Sequence, residues 1–113
     1  MSQFVFLTYG FEKPTPEIMQ AWNRWFQSIK YRRTYGLING REISRNGTRP
    51  LPRDLAAITG VVVVNAESLD DAERMAEGNP YVTSIRIYEI MQKFLFVSRE
   101  RTARGMLDRT RDV

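Results

Sequence analysis

The chain contains neither cysteine nor histidine. Without cysteine there are no disulfides, no thiolate metal ligands and no thiol nucleophile, a composition that suits a reducing cytoplasm. The missing histidine excludes more. Imidazole is the side chain whose ordinary pKa lies near neutrality, and it is the commonest metal ligand and general base. Carboxylates alone suit hard, oxygen-seeking cations, which excludes a structural zinc site. Acid–base chemistry is left to Asp, Glu, Lys or Tyr with a displaced pKa, and this weighs against an enzyme. No metal and no cofactor are expected.

Long apolar runs are missing as well. The opening MSQFVFLTYG has neither the basic start nor the apolar stretch of a signal peptide. No window approaches the roughly 18 to 20 apolar residues that span a bilayer. A soluble, cytoplasmic protein with no membrane partner is the expectation. A length of 113 residues points to one domain with a modest core. Hydrophobic content of 42% and charged content of 27% fall in the globular range, which excludes wholesale disorder.

What is present is an uneven charge. The formal net charge is +4, yet Lys30, Arg32, Arg33, Arg41, Arg45, Arg49 and Arg53 meet only one acid, Glu42, in their stretch. The closing RERTARGMLDRTRDV adds five arginines against three acids, and the remainder of the chain is net acidic. Such asymmetry marks either a solvated loop with a loose tail or a surface that faces anions or nucleic acid.

Hydrophobic periodicity supplies the elements. QFVFLTY (Gln3 to Tyr9) is aromatic and β-branched and reads as a buried strand. Thr15 is placed to cap a helix, with Pro16 at its first position and Glu17 at its positive end. The spacing predicts a helix over EIMQAWNRWFQSIKYR (Glu17 to Arg32). Its apolar stripe is Ile18, Trp22, Trp25 and Ile29, widened by Met19 and Phe26. Residues 34–58 are rich in turn signals and are expected to be partly irregular, basic and mobile. Within them Arg41 to Arg45 suggests a short hairpin arm turning at Asn46-Gly47. TGVVVVNA (Thr59 to Ala66) reads as a central strand buried on both faces. Ser68 caps a second helix with Leu69, Ala72, Met75 and Ala76 inward, and Gly78 ends it. SIRIYEIM (Ser84 to Met91) is a further strand, which KFLFV extends or follows with another edge strand.

The order is β-α-β, a hairpin region, then β-α-β. This predicts an α+β, ferredoxin-like βαβ-βαβ sandwich. Both helices would cover one sheet face. The bare face then calls for a partner, most simply a second copy in a homodimer.

The AWNRWF helix (Ala21 to Phe26), TGVVVVNAESLDDAERMAEGNP (Thr59 to Pro80) and the SIRIYEI strand resemble the YCII-related (DGPF-domain) family of dimeric α+β barrel proteins. The likeness spans about Phe4 to Met91 and implies a YCII-like α+β domain over residues 1–92, with 93–113 a basic C-terminal extension. The family commonly has Cys-Pro-His where this chain has Asn79-Pro80-Tyr81. It is thought to include enzymes that use that histidine with an acidic partner on small, often cyclic or aromatic substrates. The acidic loop before the family's central strand is replaced here by RPLPRDLAAITG. A histidine-dependent mechanism therefore does not carry over.

Candidate site residues follow. Tyr81 stands where relatives place a reactive group; it would hydrogen-bond a ligand, pack in the core, or act as an acid–base group if its pKa fell by about three units. Glu89 is the carboxylate that would join it in catalysis. Trp22 and Trp25 either fill the core or stack on a flat ligand. Arg86 and Tyr88 share one face of the last strand, and an inward Arg86 could pair a ligand carboxylate in a bidentate way. The function expected is a small homodimer that binds an anionic or aromatic small molecule without strong catalysis. Two alternatives remain. One is a lyase or isomerase on a small cyclic substrate; the other is a module whose basic loop and tail bind nucleic acid or an acidic partner. The lack of Gly-rich phosphate loops counts against the last.

Overall fold

A computed structural model describes residues 1–91 of the chain. The expected KFLFV strand and the arginine-rich extension lie outside the described residues. Six strands and two helices follow in the order β1 (Ser2–Tyr9), α1 (Pro16–Ser28), β2 (Tyr31–Gly36), β3 (Arg41–Ser44), β4 (Gly47–Pro50), β5 (Ile58–Ala66), α2 (Leu69–Ala76) and β6 (Ser84–Glu89). Four strands form one antiparallel sheet in the order β2-β5-β1-β6, while β3 and β4 pair separately. This is an α+β arrangement compatible with the ferredoxin-like order, with a hairpin inserted between β2 and β5.

Local chemistry sets the helix ends. The Thr15 hydroxyl accepts the Ile18 N–H at 3.2 Å, and the Ser68 hydroxyl accepts the Asp71 N–H at 3.1 Å. Each satisfies one of the orphan donors of a helix start. Gly78 adopts a φ of +86°, the left-handed conformation in which helices commonly end. Helix α1 stops at Ser28, four residues short of the span its periodicity suggests. Ile29 is already extended, and Tyr31 to Gly36 run as an edge strand against β5. The aromatic and β-branched Tyr31, Thr34 and Tyr35 suit a pleated surface, and pairing with β5 satisfies backbone groups that a longer helix would leave on an exposed end.

The register assigns each side chain to a face. Phe4, Phe6 and Thr8 stand beside Val64, Val62 and Gly60 on one side and Glu89, Ile87 and Ile85 on the other. The helices pack on this face, where Phe4, Phe6, Trp25, Val62, Val64, Ala72 and Ala76 form the core. Each large side chain fully buried there contributes about 2 kcal/mol. Alternate residues Val5, Leu7, Val61 and Val63 make an aliphatic stripe on the opposite, helix-free face. The valine run is thus fully buried only at Val62 and Val64. No helix among the described residues is long and apolar enough to cross a membrane.

Candidate functional site

The two tryptophans of α1 have different surroundings. Trp25 is 3% exposed, and its indole N–H donates to the Met75 carbonyl at 3.0 Å, tying α1 to α2. Its ring lies 6.1 Å from Phe6 and 5.1 Å from Phe26. Trp22, one turn earlier, meets Trp25 edge-on at 5.9 Å and is only half-buried. Its remaining surface faces a hollow of about 440 Å³ between α1 and the sheet.

Small residues in the sheet create that hollow. Gly36 on β2 pairs with Gly60 on β5, which in turn pairs with Thr8 on β1. A Cβ at Gly60 would lie 2.8 Å from the Thr8 hydroxyl, so glycine permits that close approach. A Cβ at Gly36 would meet nothing within 4 Å. The floor is bare where the roof, Trp22 and Phe26, is widest.

The rim is built by the turn that precedes β5. Gly10 N–H donates to the Ala57 carbonyl at 2.7 Å, and Phe11 N–H donates to the Asp54 carbonyl at 2.9 Å. The Asp54 carboxylate accepts the Ala56 N–H at 3.0 Å, and the Thr83 hydroxyl donates to the Leu55 carbonyl at 2.5 Å. These bonds hold Arg53 beside Phe11, with its guanidinium 4.1 Å from the ring centroid. Tyr81, 47% exposed, joins the same rim. An aromatic roof, an open floor and a cation on the rim suit a flat molecule with an anionic group.

The expected site residues therefore separate. Tyr81 and Trp22 share the hollow, while Trp25 belongs to the core. Arg86 and Tyr88 lie on the helix-free face, opposite Leu7 and Val5, and the Arg86 guanidinium sits 4.5 Å from the Tyr9 ring centroid. Glu89 pairs with Phe4, whereas Thr83, two residues after Tyr81, bonds Tyr9 at the other end of β1. Tyr81 and Glu89 thus belong to opposite ends of the sheet and do not form an acid–base pair. Gly36, Gly60, Thr8, Phe11 and Arg53 were not singled out as site residues from the sequence. Arg53 figured there only as one cation of the basic stretch, and Gly60 left a local signal, a glycine inside a strand pattern.

A second hollow, of about 560 Å³, lies at the base of the β3–β4 hairpin, between Leu37, Ile38, Leu51, Ile58 and Tyr9. Among the described residues no group of three or more acidic, histidine or cysteine side chains gathers to hold a metal ion. Comparison with family models, curated proteins and solved structures yields no match to this chain.

Proposed function

We propose that the chain is a homodimeric, YCII-like binding protein of the dimeric α+β barrel type that takes an aromatic, anionic small molecule into the hollow beside Trp22. The observation that carries this function is the glycine floor at Gly36 and Gly60 beneath the rings of Trp22 and Phe26. Arg53 supplies a cation for the ligand's acidic group, and Tyr81 supplies a hydroxyl at the mouth. The distance in the fold between Tyr81 and Glu89 favours binding over lyase or isomerase chemistry.

The dimer is supported by the helix-free face. Its stripe of Val5, Leu7, Val61 and Val63 is bordered by exposed Tyr35 and Tyr88. An aliphatic sheet face rimmed by polar aromatics is the kind of surface a second sheet covers. Native mass spectrometry of the freshly purified full chain tests both parts. A dimer that carries a small extra mass is the expected result, with that mass lost from Tyr81→Phe or Arg53→Gln at unchanged melting temperature. A monomer at micromolar concentration overturns the dimer. Failure to retain any ligand, or to bind anilinonaphthalene sulfonate as an aromatic anionic probe, overturns the hollow.

A further inference from the structure

The β3–β4 hairpin is a two-stranded ribbon whose eight strand residues are all exposed. Each strand has four residues, which gives an arm about 13 Å long. A ribbon of two strands is marginal in water unless something packs on it. Its register places Glu42 opposite Arg49, and these two form an ion pair at 2.6 Å. Arg41 and Ile43 stand on the other face, Ile43 beside Thr48, and Arg45 occupies the loop. Ile43 is 82% exposed between the two cations.

The arm continues a basic edge. Strand β2 borders the sheet, and Lys30, Arg32 and Arg33 along it are all exposed. Among the described residues none of Lys30, Arg32, Arg33, Arg41 and Arg45 has an acidic partner; the two ion pairs are Arg49–Glu42 and Arg74–Asp71. The acids cluster elsewhere, as Glu67, Asp70, Asp71, Glu73 and Glu77 on and around α2, which packs over β5, β6 and β1. Charge is thus segregated, with unpaired cations on an edge and an arm that make no contribution to the core.

We infer that the β3–β4 arm and the β2 edge form a docking surface for double-stranded DNA, separate from the hollow beside Trp22. A two-stranded ribbon fits the major groove, which is about 12 Å wide. Ile43 offers an apolar contact for a thymine methyl, and Arg41 and Arg45 reach phosphates on either side of it. Lys30 and Arg32 bind the flanking phosphate backbone. Like charge on every arm opposes arm-to-arm packing of two copies, whereas a row of phosphates neutralises all of these cations at once.

Fluorescence anisotropy of the full chain with a short labelled duplex, between about 50 and 200 mM salt, tests this. Binding is expected to weaken steeply with salt. Arg41→Ala/Arg45→Ala should bind more weakly and flatten the slope of log affinity against log salt by about 1.8, the loss of two phosphate contacts. The lysine pair, Arg41→Lys/Arg45→Lys, should keep the slope. Circular dichroism confirms that each variant is folded, and Ser68→Ala, at the cap of α2 on the acidic side of the molecule, should bind DNA as the parent does. No binding at low salt overturns the inference. So does parental affinity in the alanine pair. Displacement of the duplex by polyglutamate at equal charge concentration would point instead to an acidic protein. Arm-dependent self-association without DNA binding would point to a second copy.

Discussion

Gly36 and Gly60 stand opposite each other across the β2–β5 ladder, so the strip of sheet beneath Trp22 carries no side chain at either position. Two adjacent bare positions in a sheet weaken it, because glycine loses the most backbone freedom on folding and packs nothing. The fold tolerates this at the spot where α1 leaves room above the strands.

Gly36→Val should separate binding from stability. The position has open space around it and a φ outside the left-handed region, so valine enters without a clash and adds strand propensity. Thermal melting is expected to hold steady or rise, while binding of anilinonaphthalene sulfonate is lost. Retained binding at full strength would place the ligand elsewhere.

Trp25 should behave as a core residue and Trp22 as a site residue. Trp25→Ala is expected to cost about 3–5 kcal/mol in denaturant unfolding. Trp25→Phe should cost less, largely through the Met75 carbonyl left without its donor. Trp22→Ala should cost clearly less than Trp25→Ala and reduce probe affinity. Equal losses of stability at the two positions would contradict this division.

Asn79 is 6% exposed, and neither atom of its side-chain amide has a hydrogen-bond partner among the described residues. A buried amide left in this state costs on the order of 1–3 kcal/mol. Asn79→Leu, which keeps the branching and heavy-atom count of the side chain and removes its polar atoms, should therefore unfold at the same or a higher denaturant concentration than the parent. A drop of more than about 1 kcal/mol would mean that the amide is satisfied in solution.

Val5 lies on the helix-free stripe, between Val63 and Tyr88. Val5→Asp should leave the helix-side core of Phe4 and Phe6 intact and abolish the proposed dimer, read by sedimentation velocity. An unchanged dimer would assign the interface to another surface.

Both helix caps should be separable from function. Thr15→Ala and Ser68→Ala each remove one hydroxyl that accepts a helix N–H, at a cost of about 1 kcal/mol. Probe binding should survive both.

The elements of this protein are written locally. Caps at Thr15 and Ser68, alternation in β1 and the glycine after α2 each depend on neighbours within a few residues, and the sequence specifies them directly. The end of α1 was not legible in the same way. The apolar period continues through Ile29, but Tyr31 to Gly36 gain a strand partner further along the chain, at Gly60 to Val64, and pairing prevails over local helical periodicity. The site depended even more on tertiary structure. Trp22 and Trp25 are three residues apart in one helical stripe, yet only the packing of α1 against α2 puts Trp25 in the core and leaves Trp22 over a hollow. Likewise Tyr81 and Glu89 are near in sequence but are carried to opposite ends of the sheet by β6, while Arg53, Phe11, Gly36 and Gly60 converge from four separate segments. Apart from β2, sequence by itself determined which segments fold into helix and strand, because those preferences act over a few residues. Which side chains face one another was decided by strand register and helix packing, which act across the whole chain.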